Sequence, residues 1–193
     1  MPESSDQYTY PGTEVLRNIL DIRDAQRLAD FEANATTARL AELDATPLKG
    51  RFDVVHLKAI HKYIFQDVYS WAGEFRTVNV SKGDNMFCAA AFVEPALHRI
   101  LLKLPDDKYL KGTDLRSFAR RAGFYLGEIN AVHPFREGNG RAQREFIREL
   151  GCGAGFTIDW SRINRQQMMA ASRESFSTGD SSSLAALIGT STG

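Results

Sequence analysis

The twelve residues His133-Pro-Phe-Arg-Glu-Gly-Asn-Gly-Arg-Ala-Gln-Arg144 put a histidine, a carboxylate, an asparagine between two glycines and two arginines into one turn and the start of a helix. Gly138-Asn139-Gly140 is permissive backbone ahead of that helix, so several N–H groups can converge on an anion with the positive end of the helix dipole behind them. Arg141 falls in the first turn and Arg144 three residues later on the same face, so both guanidinium groups can reach that anion. A nucleotide di- or triphosphate matches this concentration of positive charge. Glu137 would repel a bare phosphate. Mg²⁺ resolves the conflict, because it is commonly held by one or two carboxylates together with phosphate oxygens. His133, with an ordinary pKa of about 6.5, can take a proton from an attacking hydroxyl near neutral pH. Together these residues describe transfer of a phosphorus-centred group from a Mg²⁺-nucleotide to a hydroxyl, by positioning and charge neutralisation. Each residue alone also fits a tight helix-loop-helix with Glu137 paired to Arg141, but a structural turn requires neither the histidine nor both arginines.

Outward from this stretch the chain reads as helices. Thr113 or Asp114 caps a helix whose apolar positions run from Leu115 through Phe118, Ala122, Leu126 and Ile129 to Val132, and Pro134 stops it at His133. Downstream, Arg141 to Leu150 carries Phe146, Ile147 and Leu150 inward, with Gly151, Gly153 and Gly155 ending the helix. Upstream, Asp24 precedes a helix over Ala25 to Leu43, Asp53 precedes one reaching Val68, and Pro95 opens one reaching Leu104. Ile163 to Phe176 and Leu184 to Ile188 complete the set, and Gly189 to Gly193 reads as frayed. Met168 and Met169 are expected to fill core, and Thr178 to Ser181 either borders a base pocket or caps the last helix. His56 and His61 lack metal-ligand spacing and are expected to pack or face solvent. From Phe75 to Ser81 apolar and polar residues alternate, Lys82-Gly-Asp-Asn85 supplies a turn, and Met86-Phe-Cys-Ala89 resumes, a β-hairpin that is either a decorated loop or an edge offered to a partner strand. The fold class is therefore all-α with one small hairpin.

Composition narrows the setting. The 193 residues suffice for one domain with a real core. Lys plus Arg and Asp plus Glu number 24 each, so no global field favours nucleic acid or an anionic membrane, and neither is an expected partner. Cys88 and Cys152 are too few for a disulfide framework, the first residues lack an apolar signal core, and no apolar run approaches membrane-spanning length. A cytoplasmic location is expected.

The stretch resembles the signature of Fic-domain enzymes, His-x-Phe-x-(Asp/Glu)-Gly-Asn-Gly-Arg-x-x-Arg, and His133, Phe135, Glu137, Gly138, Asn139, Gly140, Arg141 and Arg144 match every fixed position. Tyr8-x-Tyr-Pro11, Asp67-Val-Tyr-Ser-Trp-Ala-Gly-Glu-Phe-Arg76 and Gly83-Asp-x-x-Phe-Cys88 are similar to the corresponding segments of the short bacterial Fic toxins, so the likeness covers nearly the whole chain. It implies one Fic domain over 1–193: a helical bundle with an N-terminal arm over about 1–20, a flap over about 77–88 covering the active site, and the signature loop at 133–144. It also implies transfer of AMP from ATP to a Ser, Thr or Tyr hydroxyl of another protein, with release of pyrophosphate. On that likeness His133 is the general base, Phe135 anchors the loop, Glu137 binds Mg²⁺, the Gly138 and Gly140 amides with Asn139 and Arg141 hold the α- and β-phosphates, and Arg144 reaches the γ-phosphate. The flap, through Val80, Ser81, Lys82 and Phe87, would dock the target by strand pairing.

Regulation is implied in the same way. Fic enzymes are often inhibited by a helix carrying (Ser/Thr)-x-x-x-Glu-(Gly/Asn); Ser70-Trp-Ala-Gly-Glu74 has the first part of that spacing, but Phe75 follows it. The inhibitory glutamate is therefore expected in trans, from a small antitoxin protein whose carboxylate would occupy Arg144. Toxins of this type are similar to those that modify type II topoisomerases such as DNA gyrase or topoisomerase IV. Two alternatives stand beside this reading: a nucleotide-binding interaction module without catalysis, and a Fic enzyme using another donor such as UTP or CDP-choline.

Overall fold

Asp24 and Asp53 each accept a hydrogen bond from the backbone three residues on, Asp24 from Arg27 and Asp53 from His56, and so open α1 (Ala25–Ala45) and α2 (Val54–Phe65). The computed structural model describes residues 6–82 and 85–193. Two strands of two residues, β1 (Ser81–Lys82) and β2 (Asn85–Met86), pair antiparallel, Ser81 facing Met86. α3 (Val93–Leu101) follows, then α4 (Leu115–Val132), capped by the Asp114 carboxylate on the Ser117 N–H at 2.7 Å. α5 (Asn139–Ala154), α6 (Arg165–Thr178) and α7 (Ser182–Ser191) complete the chain, and α6 begins with a reciprocal capping box between Asn164 and Gln167.

The core gathers on α4, which packs against α3, α5, α6 and α7, while α5 also packs against α2. Phe118, Ala122, Tyr125 and Ile129 of α4 are fully buried and meet Ile60 and Ile64 of α2, and Phe146 and Ile147 of α5, in one continuous cluster. The N-terminal arm is tied down as well. Tyr8 and Tyr10 are buried, Thr9 bridges to Leu16, and Asp6 pairs with Arg136 at 2.6 Å.

Several expected boundaries move. Gly151 and Gly153 stay helical, and only Gly155, in the left-handed region at φ 92°, ends α5. The tail is pinned where fraying was expected, because Gly193 and Thr157 exchange backbone hydrogen bonds at 3.0 and 3.3 Å. The hairpin contracts most. Phe75 to Val80 forms no strand, and the expected turn at 83–84 lies outside the described residues. The physical reason is competition for an acceptor: the Val78 carbonyl, which the next hydrogen-bonded pair with Ala89 would need, is taken by the Arg76 guanidinium. What the described residues show of the hairpin is a two-pair ladder and one further bond, from Phe87 N–H to the Val80 carbonyl at 3.2 Å.

Candidate active site

The end of α4 and the start of α5 build the site. His133 adopts the left-handed conformation (φ 51°, ψ 64°) and its N–H still bonds the Ile129 carbonyl, so the chain leaves α4 through the histidine itself. The ring lies face to face with Phe87, centroids 3.8 Å apart, and Nδ1 lies 3.3 Å from the Asn130 carbonyl. That contact suits a tautomer with the proton on Nδ1.

The turn that follows is closed by its own side chains. Asn139 Oδ1 accepts from the Phe135 N–H and its Nδ2 donates to the Phe135 carbonyl, each at 2.8 Å, so both ends of the carboxamide hold the loop's shape. Phe135 is fully buried and stacks on His61 at 3.8 Å. Gly138 has φ 78°, and a Cβ there would fall 2.1 Å from the Phe65 ring, so conformation and space both demand glycine. The amides of Asn139 and Gly140 stand at the open end of α5, while those of Arg141 and Ala142 already bond the Gly138 carbonyl.

His61 was not among the residues singled out for the site, yet it fixes the loop from below. Its Nδ1 accepts the Gly73 N–H at 2.8 Å and its Nε2 faces the Glu137 carbonyl at 2.9 Å, so the neutral ring with the proton on Nε2 satisfies both. Burial pushes its pKa down to about 4.

The charged residues divide. Glu137 is about half exposed; its Oε1 accepts from the Gly138 N–H at 2.8 Å and lies 3.6 Å from Arg141. Arg141 is turned towards α1, bonding Glu32 at 2.6 Å and the Thr36 hydroxyl at 3.1 Å, with its guanidinium over the Phe65 ring. Tyr69 donates to the same Glu32. Arg144 is different. Its guanidinium lies back over Gly140, with Nη1 3.1 Å from where a Cβ of that glycine would sit, and no carboxylate among the described residues lies within 4.0 Å of it. Burial, and then the neighbouring Arg141, lower its pKa from the ordinary arginine value.

One cleft of about 860 Å³ collects His133, Glu137, Asn139, Gly140 and Arg144 together with Val80, Ser81 and Phe87. Phe135 and Gly138 lie beneath it, and Arg141 lines an adjoining cleft of about 1070 Å³ that shares Arg144, Met168 and Met169 with the first. Met168 packs against the core cluster, as expected, and with Met169 it also lines the junction of the two clefts. Thr178 to Ser181 caps helices instead of bordering the cleft: Thr178 ends α6, and Asp180 accepts from the Ser182 N–H at the start of α7. The side chain of Lys82 lies outside the described residues.

The donor set fits a magnesium ion held partly by a ligand. Glu137 offers one carboxylate at the cleft, and no group of three or more His, Cys, Asp or Glu able to hold a metal by itself occurs among the described residues. One carboxylate completed by phosphate oxygens and water is the usual arrangement for Mg²⁺. No helix among the described residues is long and apolar enough to cross a membrane.

Comparison with known proteins gives one consistent result. A family profile described as the Fic/DOC family matches residues 51–150. The chain is 45% identical over 96% of its length to the protein adenylyltransferase VbhT of Bartonella schoenbuchensis, of which it spans only 38%. It is 41% identical to the probable protein adenylyltransferase y4lH of Sinorhizobium fredii, covering 95% of this chain and 94% of that protein. Among solved structures, the BepC protein of Bartonella tribocorum with bound AMPPNP superposes with a TM-score of 0.88 at 28% identity over 96% of each chain.

Proposed function

Because the chain belongs to the Fic/DOC family, we propose that it is a protein adenylyltransferase that moves AMP from ATP to a hydroxyl side chain of another protein. The observation that carries this reading is the single cleft in which a histidine, a carboxylate, a helix N-terminus and an arginine without a carboxylate partner among the described residues meet. Relatives named as protein adenylyltransferases, and a similar structure holding AMPPNP, support it.

In the reaction the target hydroxyl oxygen attacks the α-phosphorus, a new P–O bond forms and the bond to pyrophosphate breaks. The hydroxyl proton passes to His133 Nε2. The Asn139 and Gly140 amides and the α5 dipole face the phosphates, and Arg144 meets the charge at their far end. Asn139 contributes by shaping the loop, and Arg141 by bracing it against Glu32 of α1. Glu137 would hold Mg²⁺, which supplies charge neutralisation for the triphosphate when bound.

The segment carrying Val80, Ser81, Lys82 and Phe87 is the docking surface for the target, supported by the exposed Ser81 and Met86 and the closeness of Phe87 to His133. Inhibition comes from a small antitoxin whose glutamate enters by the adjoining cleft and pairs with Arg144, the cation on which the two clefts meet. A type II topoisomerase is the target that the likeness to short Fic toxins favours.

The test is incubation with ATP labelled at the α- or γ-phosphate and a bacterial lysate, beside His133→Ala. Label should reach protein from the α-phosphate alone and only with His133 intact. Labelling from the γ-phosphate alone makes the enzyme a kinase.

A further inference from the structure

Arg76 is only 2% exposed and has no carboxylate partner among the described residues. Its guanidinium instead donates to four backbone carbonyls: Nε to His133 at 2.8 Å, Nη1 to Val78 at 2.8 Å, and Nη2 to Val132 at 3.2 Å and to Cys88. Its own backbone N–H bonds the Pro134 carbonyl at 2.9 Å. The acceptors fall into two pairs. Val132 and His133 carry carbonyls at the C-terminal end of α4, which is the negative end of the helix dipole and stabilises a cation. Val78 and Cys88 are the two feet of the segment that carries β1 and β2.

A buried cation without a counter-ion is costly, and a hydrophobic residue of similar size would fill the same space. A planar fork of donors does something that such a residue cannot. It ties both feet of the 78–88 segment and the backbone of His133 to one rigid group. Phe87, inside that segment, adds a second link by stacking on the His133 ring at 3.8 Å, and the Cys88 N–H adds a third by bonding Ala131 at 3.4 Å.

We propose that Arg76 is a positioning residue that couples Val78 and Cys88, the feet that carry β1 and β2, to His133, so that a hydroxyl-bearing chain laid on β1 or β2 and the base that deprotonates it keep one fixed geometry. The role in the reaction rests on the adenylyl-transfer reading above. Lysine cannot replace it, because three donors radiating from one nitrogen cannot reach four carbonyls on two sides.

The experiment compares the full chain with Arg76→Lys and His133→Ala, dividing the rate of AMP transfer by the number of sites that bind Mg²⁺-AMPPNP. This ratio removes any loss through misfolding. Arg76→Lys should keep the parent affinity for AMPPNP and lose transfer per site by roughly 10²-fold, the cost of about 1 Å of misplacement. Transfer per site equal to the parent overturns the proposal. Hydrogen exchange on the unmutated protein decides the coupling even if the variant does not fold. The Cys88 and His133 amides should show protection factors within about tenfold of each other, as parts of one cooperative unit. A Cys88 amide that opens far more readily than His133 overturns the coupling. Absence of AMP transfer by the unmutated protein would instead sink the adenylyltransferase reading and leave the exchange result standing.

Discussion

Arg144 and Arg148 stand one turn apart on α5, and their surroundings are opposite. Arg148 makes a two-pronged pair with Glu145 at 2.7 and 2.9 Å, donates to the Leu43 carbonyl at 2.8 Å and reaches Asp44 at 3.3 Å. Beside it, buried Glu149 accepts from the Leu48 N–H at 3.1 Å and lies 3.0 Å from His56. Arg144 has no carboxylate within that reach among the described residues, although burial already weighs against its charge. A cation whose partners are all present holds the fold together. On the proposed function, a cation desolvated without them is arranged for an anion that arrives later. One helix thus separates structure from chemistry along its own axis.

The largest effect expected from this contrast is at the closed end. Arg148→Met should destabilise the protein by about 3–5 kcal/mol, because it strands Glu145 as a buried carboxylate, whereas a double change to apolar residues at 145 and 148 should recover most of the loss. Denaturant unfolding of the single and double variants checks this. A single variant as stable as the parent would break the comparison.

Next is the histidine beneath the loop. His61 is neutral when folded, with its pKa near 4 instead of 6.5, so the unfolded chain binds more protons between those values. Stability is therefore full above about pH 6.5 and falls as the pH drops towards 4, by up to roughly 3 kcal/mol. Melting temperatures across that window should fall in the parent and fall less in His61→Gln. Equal slopes in the two proteins would remove His61 from the account.

The smallest change in stability is expected at the open end. Arg144→Ala should lie within about 1 kcal/mol of the parent, since no ion pair among the described residues is broken. A loss as large as that of Arg148→Met would show that Arg144 is structural too.

The same contrast shows what sequence could and could not reveal. Asp53 and Asp114 cap helices as their positions suggested, and His133, Glu137, Gly140 and Arg144 do meet in one cleft, because short-range spacing around a helix start fixes their directions. Glu145, Arg148 and Glu149 are buried, which the apolar positions of α5 do not indicate, since His56, Asp44 and the Leu43 carbonyl, which meet Glu149 and Arg148, lie about a hundred residues away in the chain. Arg76 was equally silent for a different reason. Its acceptors are backbone carbonyls, which no residue type announces, and by occupying that of Val78 it also shortened the hairpin that alternation predicted. Arg141 was grouped with Arg144 by helical spacing, yet Glu32 of α1 draws it aside.

The most direct test is a calorimetric titration of Mg²⁺-AMPPNP into the parent and into Arg144→Ala, each shown to be folded by its melting temperature. If Arg144 is held open for the phosphates, the variant should bind about 10- to 100-fold more weakly, the worth of a charged hydrogen bond. An unchanged Kd would contradict the account.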